Sequence, residues 1–462
     1  MNKYAENNYH RLPIFMQNVL CSLYGTMLYM ERYAPPWKRY YNYLINTQSM
    51  SNEEIDRMQI SLLKGLISHA IDYVPHYQQT IQLKKEDLRR FDSMNMLEYL
   101  PILEKSEFRE SAETFISNYY DKAKLIKIST SGTTGTPLTI YTSREARKMN
   151  YAFFERSKFW AGIKRLERSI TFAGRAIVPA QQKDPPFWRV NVLFNNTLFS
   201  SYHLSNKNLP YYVDRIRKIQ PHFIDSYPSS IGIIARYIID NNICDIKPKA
   251  IITSSETLFD AEREEIEKAF GCRVYDQYGS AEQVTFACQC TKGAYHINPE
   301  YGFVEVLDKN NRPLEKGMLG EFACTGFINR AMPLIRYKIG DMGILSDRKC
   351  DCGCNFPLVE RICGRTDDIL ITPSGKYVGR LDPVFKGVGH TIKEAQIIQE
   401  KLDLITILVV KAPGYTDKDG ESIIKELKKR MGPAMSYAIR LVDSIPRTKT
   451  GKSRAVIRKV EE

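Results

Sequence analysis

"AIITSSETLFDAEREEIEKAFGCRVYDQYG", Ala250–Gly279, reads as strand, helix, strand. "AIITSS" is an apolar run of strand length that ends in small hydroxyl residues. "DAEREEIEKAFG" then has acids in its first turn, with Asp260 as N-cap and Gly271 where a C-terminal cap belongs. "CRVYDQY" returns to strand composition. The same alternation precedes it, in the helix "YYVDRIRKI", the strand "HFIDSY" and the helix "SSIGIIARYIIDNN". Strands alternating with helices need a parallel sheet with helices packed on it, so the fold class is α/β. Ligands gather beyond the carboxyl ends of such strands, which directs attention to Ser254–Glu256 and Tyr278–Glu282.

Outward from this stretch the texture changes. "YGFVEVLDKNNRPLEKGMLGEFACTGF", Tyr301–Phe327, reads as strands joined by Asn/Gly turns, a β-rich subdomain. A last unit contains a strand "ITILVVKA", a helix "ESIIKELKKRM", a strand "AIRLVDSI" and the basic tail "PRTKTGKSRAVIRKV". The expected organisation is a large α/β domain over residues 1–366 and a small α+β domain over 367–462. Upstream, "SNEE", Ser51–Glu54, has capping-box form and precedes Ile55, Leu62, Leu66 and Ile67 at helical spacing. Leu12–Tyr33 is the most apolar part of the N-terminus, but Gln17 and Asn18 interrupt it and it lacks the features of a signal peptide. It is expected to be a packed helix in preference to a peripheral membrane contact.

The 462 residues are 43% hydrophobic and 26% charged, which describes a globular enzyme-sized chain. A net charge of +13 favours anionic partners such as nucleotides or coenzyme A. Nucleic acid is set aside, because Lys and Arg are interleaved with acids and form no basic tract. Ten cysteines point to thiols or metal ligands in a cytoplasmic protein. Cys288 and Cys290 lie in "ACQCTKGAYH", and Cys350, Cys352 and Cys354 in "KCDCGCNF". Two such turns can complete one tetrahedron, so a structural Zn²⁺ is expected on Cys290, His296, Cys350 and Cys352, with Cys288 or Cys354 as substitutes.

"KISTSGTTGTPLTIY", Lys127–Tyr141, sets glycines and hydroxyls between two strand-like runs, a composition that lets backbone N–H groups approach a phosphate. Tyr278 can stack on a base, Gly279 permits close backbone approach, and Glu282 offers a hard oxygen to Mg²⁺. In "RYKIGD" the carboxylate of Asp341 can take both hydroxyls of a ribose, while "GRTDD" and "PRTKTGK" add Arg365 and Lys452.

Taken in order, "TSGTTGTP", "YGSAE", "RYKIGD", "GRTDD" and "PRTKTGK" resemble the signatures of the adenylate-forming superfamily of acyl-CoA synthetases and adenylation domains, from about Lys127 to the C-terminus. "SYPSS", "CTKGAYH", "MPLIRYKIGD" and "CDCG" resemble the phenylacetate-CoA ligase branch, particularly its capsular-polysaccharide-biosynthesis, CapK-like relatives. The resemblance implies ATP-dependent activation of a carboxylic acid to an acyl-AMP. The acyl group then passes to a thiol (coenzyme A or a carrier protein) or to an amine. It implies that Ser131, Gly132, Thr133, Thr134 and Gly135 cover the phosphates, and that Ser255, Glu256, Tyr278, Gly279 and Ser280 line the adenine side. Glu282 then holds Mg²⁺, Asp341 and Arg365 serve the ribose, Asp367 is a hinge and Lys452 enters the site in the first half-reaction. Tyr227, Pro228 and Ser229 fall near the implied acyl pocket. One position departs from the pattern: Thr136 stands where the family loop commonly has lysine, removing a cation from the phosphate cradle. A zinc-stabilised nucleotide-binding scaffold without turnover, serving polysaccharide assembly, is the alternative.

Overall fold

The computed structural model describes residues 9–129, 138–174, 177–179, 181–365, 370–373, 377–378, 381–385, 388, 391–432, 434–447 and 454–460. β1 (Ile126–Ser129) pairs antiparallel with β2 (Thr139–Thr142). Then follow β3 (Ser169–Ala173), β4 (Trp188–Asn191), β5 (Asn196–Ser200), β6 (Phe223–Ser226), β7 (Ala250–Ser254) and β8 (Arg273–Gly279). The next six are β9 (Phe286–Gln289), β10 (Tyr295–Ile297), β11 (Gly302–Leu307), β12 (Leu319–Gly326), β13 (Tyr337–Ser346) and β14 (Leu358–Arg365). Strands β3 to β14 form one sheet of twelve, in the order β11-β12-β13-β14-β10-β9-β8-β7-β6-β3-β5-β4.

Neighbours from β5 through β3, β6 and β7 to β8 are parallel, as the alternation of strands and helices requires. The crossover helices Pro228–Asp240 and Asp260–Phe270 bury Ile234, Ile238, Ile266 and Phe270 in one cluster with Ile224, Ile251 and Val274 of the strands. The second helix begins at Asp260 with Phe259 in the capping position, so Asp260 acts as a first-turn acid and not as the cap. Gly271 ends it in the left-handed region, at φ +64°.

The β-rich part is a continuation of this sheet and not a separate one. β8 pairs antiparallel with β9, and β9, β10, β14, β13, β12 and β11 follow as antiparallel neighbours. At Gly302 the chain passes so close to another segment that an added Cβ would meet Val284 O at 2.1 Å. The helix Asn52–Tyr73 starts with the capping box of Ser51 and Glu54 and packs Leu63, Leu66, Ile67 and Ala70 into the cluster that holds Phe322 and Tyr337.

The C-terminal domain has a small hairpin of β15 (Leu370–Ile371) and β16 (Tyr377–Val378), then β17 (Ile392–Lys401), β18 (Leu404–Lys411), β19 (Ser436–Leu441) and β20 (Val456–Arg458). The last four form a sheet in the order β19-β18-β17-β20, with the helix Asp417–Met431 between β18 and β19 in sequence. Among the described residues it meets the large domain through Arg236, which is paired with Glu265 and also donates to the carbonyls of Ile392 and Lys393 at 2.9 Å.

The N-terminal stretch is helical over Ile14–Tyr33 and packs on the protein as expected, burying Gln17, Gly25 and Leu28. Polar groups make most of its inward contacts. Gln17 accepts from buried Arg189, Asn18 accepts from Val190 N–H at 2.9 Å, and Ser22 donates to Val190 O and accepts from Val192 N–H. Phe15, Leu23 and Met30 on the other side are 66%, 60% and 60% exposed. No helix among the described residues is long and apolar enough to cross a membrane.

Candidate functional site

The parallel strands deliver their carboxyl ends to one rim of the sheet. β8 ends there with Tyr278 and Gly279, and the half-buried Tyr278 hydroxyl donates to Asp341 Oδ2 of β13 at 2.7 Å. Two residues 63 positions apart in sequence therefore share one hydrogen bond. Asp341 is buried and pairs across the ladder with Arg365 of β14. A Cβ on Gly279 would lie 3.1 Å from the Phe286 ring and 3.2 Å from Thr285 O, so a side chain there would push the strand end aside. The Ser280 Oγ is buried with no protein hydrogen-bond partner among the described residues.

Glu282 follows in the loop after β8 and is only 4% exposed. The Tyr337 hydroxyl stands 3.5 Å from its Oε1 and the Lys105 ammonium 3.8 Å away, both longer than a charge-assisted hydrogen bond. A buried carboxylate with loose partners fits a role as a divalent-cation ligand. Lys105, which also donates to Ile339 O at 3.2 Å, was not legible in advance: one lysine in "LEKSEF" carries no spacing signal.

At the end of β7, Ser255 has φ +73°, a left-handed conformation that serine seldom adopts. Next to it, Glu256 Oε2 accepts the N–H of Ser229 at 3.1 Å, in the first turn of Pro228–Asp240. The Ser229 hydroxyl accepts from Arg447 of the C-terminal tail at 2.9 Å, and Arg447 also pairs with Glu394. Arg447 lies inside "PRTKTGK", so the motif held a second cation besides Lys452. The Tyr227 hydroxyl accepts from Gly174 N–H at 3.0 Å, and Pro228 is the first residue of the helix. Burial, with the nearby charges of Glu256 and Glu265, pushes the Glu262 carboxyl up to about 8. Ser131, Gly132, Thr133, Thr134, Gly135, Thr136, Asp367 and Lys452 lie outside the described residues, as does the side chain of Arg365.

A second cluster forms at the opposite ends of the same antiparallel strands. Cys290 lies in the turn from β9 to β10, His296 on β10, and Cys350 and Cys352 in the turn from β13 to β14. Their four ligand atoms lie within 4.8 Å of one another. Cys290 Sγ and Cys350 Sγ are 3.7 Å apart, against about 3.8 Å for two Zn–S bonds at the tetrahedral angle. His296 Nε2 stands 3.3 Å from Cys352 Sγ, while Nδ1 lies 3.1 Å from Phe356 O, a contact that holds the ring with Nε2 toward the sulfurs. The N–H groups of Lys292 and Cys354 point at the sulfurs of Cys290 and Cys352. Burial opposes a thiolate at Cys290, yet its hydrogen bonds to His296 and to backbone N–H groups bring the thiol down to about 6. Cys288 is buried elsewhere, against Asn298.

Comparison with known proteins adds to this geometry. A family model described as the CapK C-terminal domain matches residues 370–459. Protein CapK of Staphylococcus aureus is 31% identical over 464 aligned positions, covering 98% of this chain and 99% of that one. The chain belongs to the CapK family. Phenylacetate-coenzyme A ligase of Thermus thermophilus is 21% identical, over 89% of this chain and 98% of its own length. Among solved structures, a 2-hydroxyisobutyryl-CoA ligase in the postadenylation state, in complex with R3-HIB-AMP, superposes with a TM-score of 0.71 at 17% identity, over 89% of this chain and 91% of that one. The CapK-family chain thus has the fold of adenylate-forming, AMP-forming ligases.

Proposed function

We propose that this CapK-family protein activates a carboxylic acid with ATP, forming an acyl-adenylate and releasing pyrophosphate. It then transfers the acyl group to a thiol, of coenzyme A or a carrier protein, or to an amine. The observation that carries this reading is the hydrogen bond between Tyr278 and Asp341 at the carboxyl rim of the sheet, with the buried carboxylate of Glu282 four residues beyond Tyr278. There the Tyr278 ring offers a face to adenine, and Asp341 offers carboxylate oxygens to the two ribose hydroxyls. The Glu282 carboxylate would hold Mg²⁺, which, when bound, neutralises charge on the phosphate oxygens. The acid attacks the α-phosphorus in line, so rate comes from positioning and from charge stabilisation of the departing pyrophosphate. Lys452 contributes that charge, and the 131–135 loop, with Thr136 in place of lysine, contributes backbone N–H groups.

In this reading the chain divides into residues 1–366 and 367–462 about Asp367, and the tail that brings Arg447 to Ser229 also carries Lys452. Tyr227–Ser229, at the start of the helix that Glu256 caps, border the acyl pocket. Zn²⁺ on Cys290, His296, Cys350 and Cys352 ties two strand turns together and takes no part in the reaction. We read the protein as cytoplasmic, in keeping with ten cysteines that form no disulfide among the described residues.

The test is exchange of labelled pyrophosphate into ATP across a panel of carboxylic acids. Exchange that depends on one class of acid supports the reading and names the substrate class. Binding of ATP with no exchange across the panel would replace it with the scaffold reading.

A further inference from the structure

The helix Ile14–Tyr33 packs inward through a polar strip beside Gly25 and Leu28 and leaves most of its apolar side chains outward. Gln17, Asn18 and Ser22 face the sheet, and Gly25 lies so close to Asn191 that an added Cβ would meet its amide at 2.5 Å. The outward side carries Phe15, Val19, Leu23, Met27 and Met30, between 54% and 66% exposed, at spacings of four, four, four and three residues. Leu20 and Tyr24 widen the stripe, and the turn after β4 adds Val192, 74% exposed and bonded through its N–H to Ser22. A helix of 20 residues spans about 30 Å, so this is a continuous apolar ridge and not a scatter of single residues.

We propose that this ridge docks on the surface of an anionic lipid monolayer, lying in the plane of the interface without crossing it. Charge selects this occupant. Between Leu12 and Tyr33 the sole acid is Glu31, and Arg147 neutralises it at 3.0 Å. Exposed cations stand beyond both ends of the ridge, Arg11 before it and Lys38 and Arg39 after it. Anionic headgroups match that pattern, each cation meeting a phosphate while the apolar side chains enter the acyl boundary. A second copy of the chain fits it less well. Two-fold pairing of the ridges would bring like-charged ends of two +13 chains together, with no free acid on the ridge to compensate. This assignment takes up the peripheral membrane contact that the sequence placed second, and it is independent of the proposed ligase reaction.

The experiment is cosedimentation of the full-length protein with vesicles of equal parts phosphatidylglycerol and phosphatidylcholine, and with vesicles of phosphatidylcholine alone. The wild-type chain is expected to pellet with the anionic vesicles, and weakly or not at all with the neutral ones. The double variant Leu23→Ser, Met27→Ser is expected to bind at least about tenfold more weakly at an unchanged melting temperature, since both side chains already face solvent. Lys38→Glu with Arg39→Glu should weaken binding to the anionic vesicles and leave the neutral ones unaffected. Failure of the wild type to pellet with anionic vesicles overturns the proposal. So does a dimer in sedimentation velocity that Leu23→Ser dissociates while vesicle binding is absent.

Discussion

The two ends of the antiparallel strands are built from different chemistry on the same ladder. At one end, β8 and β13 bring Tyr278 and Asp341 together, with Glu282 close by in sequence. At the other, the turns from β9 to β10 and from β13 to β14 bring three sulfurs and a histidine within 4.8 Å of one another. The first end gathers an aromatic ring and carboxylates, groups suited to a ligand that comes and goes. The second gathers soft donors at distances that match a single ion held throughout. Under the proposed roles, a metal at one end would tie the hairpins of the sheet whose other end exchanges its occupant.

If the two ends are separate in role, substitutions should separate turnover from stability. The largest effect is expected for Lys452→Ala, which should lower acid-dependent pyrophosphate exchange by roughly a thousandfold, because its charge acts mainly in the transition state. ATP affinity should change only a few-fold, and zinc content not at all. Asp341→Ala should raise the KM for ATP by on the order of a hundredfold through two lost charge-assisted hydrogen bonds, a change that steady-state kinetics reads directly. Cys352→Ser should act at the other end: zinc measured in the purified protein falls and the melting temperature drops by on the order of 5 °C. Exchange per folded molecule should persist, and its complete loss in a folded variant would erase the distinction between the ends.

A pH series sharpens the comparison on the parallel side. The folded chain holds a proton on Glu262 up to about pH 8, whereas the unfolded chain releases it near the ordinary value of 4.5. The folded state thus binds more protons between those values, and Glu262 makes stability fall as pH rises from about 4.5 to 8. Glu262→Gln should melt higher than wild type at pH 8 and equal it below pH 4.5, as read by thermal denaturation at each pH. The smallest effect belongs to Tyr278→Phe. It removes the 2.7 Å bond to Asp341 but keeps the ring, so KM for ATP should rise about fivefold, equivalent to about 1 kcal/mol.

Much of this was legible in the sequence, for identifiable reasons. The alternation around Ala250–Gly279 fixed the parallel strands because buried strands and amphipathic helices have different periods. Ser51 and Glu54 form the capping box that their spacing suggested. Cys290, His296, Cys350 and Cys352, named from two short cysteine-rich turns, are the residues that converge. Long-range pairing was not legible: nothing local says that β9 continues the sheet of β8, or that Lys105 stands beside Glu282 some 177 positions later, since both follow from how distant segments pack. The orientation of Ile14–Tyr33 was hidden for a different reason. Apolar period shows that a helix has two faces but not which face the protein takes, and here Gln17, Asn18 and Ser22 turn inward with Gly25 and Leu28.

The inward side of that helix has its own consequence. β4 is the last strand of the sheet, and Val190 presents its N–H and C=O away from β5, toward Asn18 and Ser22. The helix therefore occupies backbone groups that would otherwise be a template for strand addition from another molecule. Shortening the chain to begin after Tyr33 would bare that edge, and the truncated protein should self-associate through it even with Tyr278, Glu282 and Asp341 unchanged.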